Sequence, residues 1–228
     1  NPPNPDGIKT DYLWKEILTK ESLSNILENY SQVVEKIDRK TNKVVGETMI
    51  FPRYHQLTVV RKLLADTLRN EVGKRYLIQH SAGSGKSNSI AWLAYQLVKL
   101  EKSGKTFFDS IIVVTDRVNL DRQIRDTIRQ FMQERSVVGW ADDSSTLGSL
   151  LNAGKKIIIT TIHKFPFILS SIGTENKDKQ FAIIIDEAHS SQTGSLFAKM
   201  NMAVSGNVCD DEEDIEDKIN KLIEGHRM

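Results

Sequence analysis

The sequence predicts an α/β fold with a doubly wound, mostly parallel sheet, and three observations lead there. From Tyr76 onward, short apolar runs alternate with helical patterns. The runs Ile111-Ile112-Val113-Val114 and Ile157-Ile158-Ile159 are continuous rather than alternating, as in parallel strands covered on both faces. Between the apolar run Tyr76-Leu77-Ile78 and the helical pattern Ile90-Ala91-Trp92-Leu93-Ala94-Tyr95 lies Ser81-Ala82-Gly83-Ser84-Gly85-Lys86-Ser87. Strand, glycine loop, Gly-Lys-Ser and helix, in that order, form a cradle for the phosphates of a nucleoside triphosphate.

The elements follow in order. Residues 1–11 are rich in Pro and Asn and read as an extended linker. Tyr12 to Leu18 suggests a short helix, and Leu23, Ile26 and Leu27 continue helical spacing after Glu21-Ser22. The β-branched runs Gln32–Ile37 and Lys43–Thr48 flank the turn residues Asp38 to Asn42 and predict a hairpin. Pro52 opens a helix with apolar positions at Leu57, Val60, Leu63, Leu64 and Leu68. Strands are predicted at Tyr76–Gln79, Ser110–Thr115, Lys156–Thr161 and Phe181–Asp186, with a shorter one at Val137–Trp140. Helices fill Lys86–Leu100, Leu120–Gln133, Thr146–Asn152 and Ile162–Leu169. The domain organisation expected from this pattern is a linker and extension over 1–50, the α/β domain over 51–206, and an acidic insert with a C-terminal helix over 207–228.

Composition bounds the function. At 228 residues the chain can bury one good core with a small appendage. Charged residues at 27% and hydrophobic ones at 39% match an ordinary soluble domain. The net charge of +1 hides an acidic run from Asp210 to Asp217, without which the remainder is basic and suited to a polyanion. The single cysteine, Cys209, excludes an internal disulfide and a cysteine-built zinc site. No apolar run approaches the roughly 20 residues of a membrane span. Asn1-Pro2-Pro3-Asn4-Pro5 lacks the regions of a signal peptide, and the missing initiator methionine suggests part of a longer chain.

The candidate site residues follow from chemistry. Gly83 and Gly85 let backbone N–H groups turn toward phosphate oxygens, with Ser81, Ala82 and Ser84 completing the loop. Lys86 places a cation against the triphosphate of ATP, and the Ser87 hydroxyl is a ligand for Mg²⁺. Asp186 ends an apolar strand, where a carboxylate can hold Mg²⁺ through water, and Glu187 beside it can deprotonate an attacking water. His189 suits a hydrogen bond that couples hydrolysis to motion. Upstream, the amide of Gln56 can donate to and accept from an adenine edge, with Arg53 able to stack on the base. Thr115, Arg117, Thr160, Thr161 and Lys164 sit at strand ends and suit contacts with a sugar-phosphate backbone.

With these residues in place, the chain resembles the first RecA-like motor domain of superfamily 2 helicases and translocases. Arg53-Tyr54-His55-Gln56 resembles the adenine-reading Q motif, His80 to Ser87 motif I, Thr115-Asp116-Arg117 motif Ia, and Asp186-Glu187-Ala188-His189 motif II. His80 stands where the full phosphate-loop pattern has glycine. More narrowly, Leu120-Asp121-Arg122-Gln123, Thr161-Ile162-His163-Lys164-Phe165 and the extension of motif II through Ser190-Ser191-Gln192 resemble the motor (restriction, R) subunit of Type I restriction–modification enzymes. The resemblance implies a cytoplasmic, prokaryotic enzyme. It would translocate double-stranded DNA with ATP, cleave it away from the recognition site, and assemble with methyltransferase (M) and specificity (S) subunits. No Asp…Glu-x-Lys pattern of the family's nuclease is present, and Met228 precedes the expected Thr-Ala-Thr-like motif III. The second RecA-like domain with its arginine finger is likewise missing, so the chain alone is expected to bind ATP weakly and turn it over slowly. Rival readings are a superfamily 2 helicase without a nuclease, a phosphate-loop kinase for small molecules, and a regulatory ATP-binding module without turnover.

Overall fold

The computed structural model describes residues 7–38, 41, 43–70, 73–81, 83–115, 127–128, 137–141, 144–161 and 179–186. The chain divides into two compact units, Asn1–Phe108 with Arg122–Val137, and Asp109–Asp121 with Val138–Met228.

The first unit opens with a π-helical turn, Leu13–Ile17, steadied by a 2.6 Å ion pair between Lys15 and Asp11. Helix α1, Lys20–Asn29, starts at Thr19, whose hydroxyl accepts from the Ser22 amide at 3.3 Å, an ordinary N-cap. Strands β1 (Gln32–Ile37) and β2 (Val44–Ile50) form the expected antiparallel hairpin, with a register shift between Lys36 and Ile37. At its turn, Asp38 Oδ1 accepts from the Thr41 amide at 2.9 Å. Helix α2 spans Tyr54–Asn70 and α3 spans Lys86–Val98. A small hairpin, β3 (Glu101–Lys102) and β4 (Lys105–Thr106), turns through Ser103 and Gly104. Both turn residues have positive φ, 54° and 76°, as a tight hairpin demands.

Helix α1 and the residues after it pack onto α2 and α3. Ile26, Tyr30 and Trp92 are fully buried. The Trp92 indole donates to the Tyr30 carbonyl at 2.9 Å, and the two rings lie 5.7 Å apart. From α2, Arg61 donates to Ser22 Oγ at 3.0 Å, to the Ser22 carbonyl at 3.3 Å and to Asn25 Oδ1 at 3.0 Å. Tyr12 meets Tyr54 edge to face at 5.1 Å. Burial pushes the Tyr30 phenol above its usual range.

One predicted element is not there. Tyr76–Gln79 forms no strand, and Tyr76, Leu77 and Ile78 are 43%, 89% and 43% exposed. An apolar run becomes a buried strand only when neighbours complete its hydrogen-bond ladder. No strand among the described residues pairs with this one. Side chains hold the segment instead: Tyr76 donates to Asp66 Oδ2 and Asn70 to Asp66 Oδ1, both at 2.7 Å, at the end of α2. These bonds, that of Tyr76 first, hold the Asp66 carboxyl below the usual range.

The second unit carries the parallel sheet of the α/β class. Strands β5 (Ser110–Thr115), β6 (Val138–Trp140), β7 (Ile157–Thr161) and β8 (Phe181–Ile185) lie in the order β6-β7-β5-β8, every pair parallel. Ile112 stands opposite both Ile158 and Ile183. Strands β5 and β7 are buried throughout, while β8 is half-buried along its length. Helix α4, Ser144–Asn152, places Leu151 in the core with Ile112, Val114, Ala141 and Ile158. A Cβ at Gly139 would meet Leu150 at 2.7 Å, so the helix approaches β6 as closely as a glycine allows. Of the predicted helix Leu120–Gln133 only Thr127 and Ile128 are described, both helical. The predicted helix Ile162–Leu169 and the acidic segment 207–228 lie outside the described residues.

The helix packing yields a stability prediction. Trp92→Ala should cost about 3–5 kcal/mol by emptying a buried site. Arg61→Lys keeps the charge but has no planar fork to span Ser22 and Asn25, and should cost about 1–2 kcal/mol. Urea unfolding followed by circular dichroism checks both.

Candidate functional site

The glycine loop is built where two helices of the first unit meet. Ser84 N donates to the Ser81 carbonyl at 3.3 Å, closing a turn, and Gly83 and Gly85 adopt φ of +72° and +81°. That left-handed geometry is cheap only for glycine. Gly85 is also the N-cap of α3, which has no side-chain cap. The Asn88 and Ser89 amides both bond back to the Gly85 carbonyl. The positive end of the α3 dipole therefore opens onto the loop, as an anion site requires. Lys86 and Ser87 stand half-buried in the first turn.

Gln56 holds this loop in shape. It is 3% exposed, and its Oε1 accepts from the Arg53 amide at 2.9 Å, returning to the start of its own helix as a capping glutamine does. Its Nε2 donates to the Ser84 and Gly85 carbonyls at 3.1 and 3.0 Å. Both amide hydrogens are thus spent on the loop backbone. Contact with an adenine edge, expected from the sequence, would use the amide's remaining acceptor capacity or exchange one of these bonds. Beside it, His55 Nε2 donates to the same Ser84 carbonyl at 3.1 Å.

An open cleft of about 440 Å³ lies against the loop, lined by Arg53, His55, Gln79, His80, Ser81, Gly83 and Ser84. The His55 and His80 rings meet edge to face at 5.2 Å. Burial holds the His80 pKa below that of a free imidazole, and the charges of His55 and Lys86 push in the same direction. The hydroxyls of Ser84 and Ser89 are buried and have no hydrogen-bond partner among the described residues. An orphaned hydroxyl at a glycine loop, an uncapped helix start and a lining of basic side chains all fit a triphosphate. In sequence His80 is marked only by its departure from glycine, and nothing there ties it to His55; the fold does.

Asp186 belongs to the second unit. It follows β8 directly, is 8% exposed, and its amide donates to the Val114 carbonyl at 2.9 Å, extending the ladder by one residue. Its carboxylate thus stands at the carboxyl end of a parallel strand, where ligands of α/β sheets bind. Among the described residues no group of three His, Cys, Asp or Glu could hold a metal. Mg²⁺ needs no such cage, since a hydroxyl or carboxylate with phosphates and waters suffices.

The strand-end threonines are bonded within the sheet. Thr115 is fully buried and its hydroxyl donates to the Thr160 carbonyl at 3.3 Å. Thr160 is 2% exposed and donates to the Ala141 carbonyl at 3.4 Å. These hydroxyls join neighbouring strands. Thr161, at the end of β7, is also buried. Ala82, Arg117, Lys164, Glu187 and His189 lie outside the described residues.

A glycine loop at an uncapped helix start, in a chain with a parallel α/β sheet, defines the class as a phosphate-loop nucleotide-binding protein. Residues 55–209 match the SWI2/SNF2 ATPase family, more than half of the chain, and the chain belongs to that family. It is an ATPase domain of that family. Among solved structures it is similar to the UvsW helicase from Bacteriophage T4, with 16% identity and a TM-score of 0.49 over 84% of this chain and 57% of that one. The chain thus spans a little over half the length of that helicase. No curated protein matches it. Among the described residues no helix is long and apolar enough to cross a membrane.

Two predictions follow from the loop. A Cβ at Gly85 would lie 2.5 Å from Gln56 Nε2, on a backbone with φ of +81°. Gly85→Ala should therefore weaken binding of a fluorescent ATP analogue about tenfold or more, through roughly 1–3 kcal/mol of strain, with the far-ultraviolet spectrum unchanged. The second concerns acid. His80 binds protons less readily folded than unfolded, so the unfolded chain holds more protons below about pH 6.5. Stability is then full above that pH and falls as pH drops through the lowered folded value. His80→Gln should flatten this part of a plot of urea midpoint against pH.

Proposed function

We propose that this chain is the ATP-binding half of a DNA-translocating motor and that the motor belongs to the R subunit of a Type I restriction–modification enzyme. The observation that carries the nucleotide part is the loop clamped by Gln56 ahead of an uncapped α3, with Lys86 and Ser87 in its first turn. Bound ATP–Mg²⁺ supplies a phosphoanhydride whose cleavage by water drives motion. Lys86 neutralises the triphosphate, and the amides of the loop orient it. Ser87 and Asp186 are the proposed Mg²⁺ contacts, Glu187 the base for water, and His189 the coupling residue. Arg53, which lines the cleft, is the proposed residue to stack on the base, and Gln56 the proposed reader of its adenine edge.

The finer reading is supported by the motif phrases, from Tyr54-His55-Gln56 to Asp186-Glu187-Ala188-His189-Ser190-Ser191-Gln192. It makes double-stranded DNA the track and the M and S subunits the partners, in a prokaryotic cytoplasm. Arg117 and Lys164 remain the proposed contacts to the DNA backbone. Membership of the SWI2/SNF2 ATPase family is equally at home in a motor without a nuclease.

The test has two arms. Lys86→Ala should reduce DNA-stimulated ATP hydrolysis by the complete R subunit about 100-fold or more; unchanged hydrolysis would remove the site. ATP-dependent cleavage of unmethylated DNA only when M and S subunits are added supports the restriction reading. Hydrolysis driven by DNA without such cleavage leaves a helicase-type motor in its place.

A further inference from the structure

Three basic groups face one cleft. Arg53 reaches it from the residue before α2, His55 from the first turn of α2, and His80 from the segment entering the loop. Lys86 adds its charge from α3. Among the described residues no carboxylate lines the cleft. His55 is fixed by its bond to the Ser84 carbonyl at 3.1 Å, and His80 stacks edge-on against it at 5.2 Å. His80 therefore cannot gain a proton without placing a third cation beside Lys86 and Arg53 in a partly desolvated site. A polyanion in the cleft reverses that balance, because each phosphate oxygen near the imidazole favours its charged form.

We propose that His80 is a nucleotide-contacting residue that takes up a proton as the triphosphate binds, donating from the imidazolium to a phosphate oxygen beside the glycine loop. The proton comes from solvent, and none is exchanged with the water that attacks the γ-phosphate. The inference rests on the reading of the loop as a triphosphate cradle and adds to it a linkage between binding and pH. Lowered folded affinity for the proton in the free chain is what makes the linkage large, since the ligand then moves His80 across neutrality rather than deepening an existing charge.

The test is calorimetric titration of the chain with the Mg²⁺ complex of a non-hydrolysable ATP analogue between pH 6.0 and about pH 8.0, spanning the free imidazole value. Two buffers of different ionisation heat report the protons taken up. Wild type should gain affinity as pH falls, by at most about tenfold per pH unit for one proton, with uptake in both buffers. His80→Asn should bind with a shallower slope and less uptake. The ligand's own protonation is common to both proteins and cancels in the comparison. Identical slopes and uptake in the two proteins would overturn the proposal. A readout without any variant is the titration of the His80 ring by nuclear magnetic resonance. Its midpoint should rise when the analogue is bound, and an unmoved midpoint would also overturn the proposal. Lys86→Ala keeps the two readings apart: if it binds the analogue as tightly as wild type, the cradle itself is wrong, whatever His80 does.

Discussion

One side-chain amide fixes the geometry on which the site depends. Gln56 reaches from the first turn of α2 to two carbonyls of the glycine loop and closes the start of its own helix with its remaining oxygen. A loop with two left-handed glycines has many conformations open to it and would lose much entropy on ordering. The amide removes that freedom before any ligand arrives. A buried primary amide with three partners is costly to disturb, because each lost bond strands a polar group away from water. Gly85 has no side chain for a reason beyond its φ: the nitrogen of Gln56 occupies the space a Cβ would need.

The loop is only as well placed as the two helices that carry it. Helix α2 brings Gln56 and α3 begins at Lys86, and α1 and the residue after it are bonded to both, through Arg61 and Trp92. Neither contact is a surface ion pair of small worth. Arg61 uses its planar fork on three acceptors, and the Trp92 indole is buried with its N–H satisfied. The N-terminal helix thus acts on the nucleotide loop at a distance, by holding the ends of the elements that form it.

Much of this was legible in the residues, and the reasons for the rest are physical. Continuous runs such as Ile111–Val114 and Ile157–Ile159 announce strands buried on both faces, and the glycines of the loop announce positive φ. Tyr76–Ile78 carries the same kind of run, yet it is exposed. Hydrophobicity states what a segment would bury, not whether a neighbour is present to pair with it. Thr115 and Thr160 make a related point. A hydroxyl at a strand end looks the same in sequence whether it faces a ligand or the next strand's carbonyl, and here the carbonyl has it. The bonds of Gln56 to the loop backbone are not announced by its sequence. An amide's chemistry suits an adenine edge and a peptide carbonyl equally well, and only distance decides.

The same features that suit the site to a highly charged ligand weigh against the stability of the free chain. Arg53, His55 and His80 line one cleft whose described lining holds no carboxylate, and Lys86 adds positive charge nearby. The Ser84 and Ser89 hydroxyls are buried without partners among the described residues, and each such group carries a desolvation cost. A ligand that supplies acceptors and negative charge removes both penalties at once, and the relief is added to its affinity. Binding specificity follows from that arithmetic. A neutral ligand of the same shape leaves the repulsion in place, whereas a triphosphate cancels it. The cleft therefore discriminates by charge before any contact to the base is made.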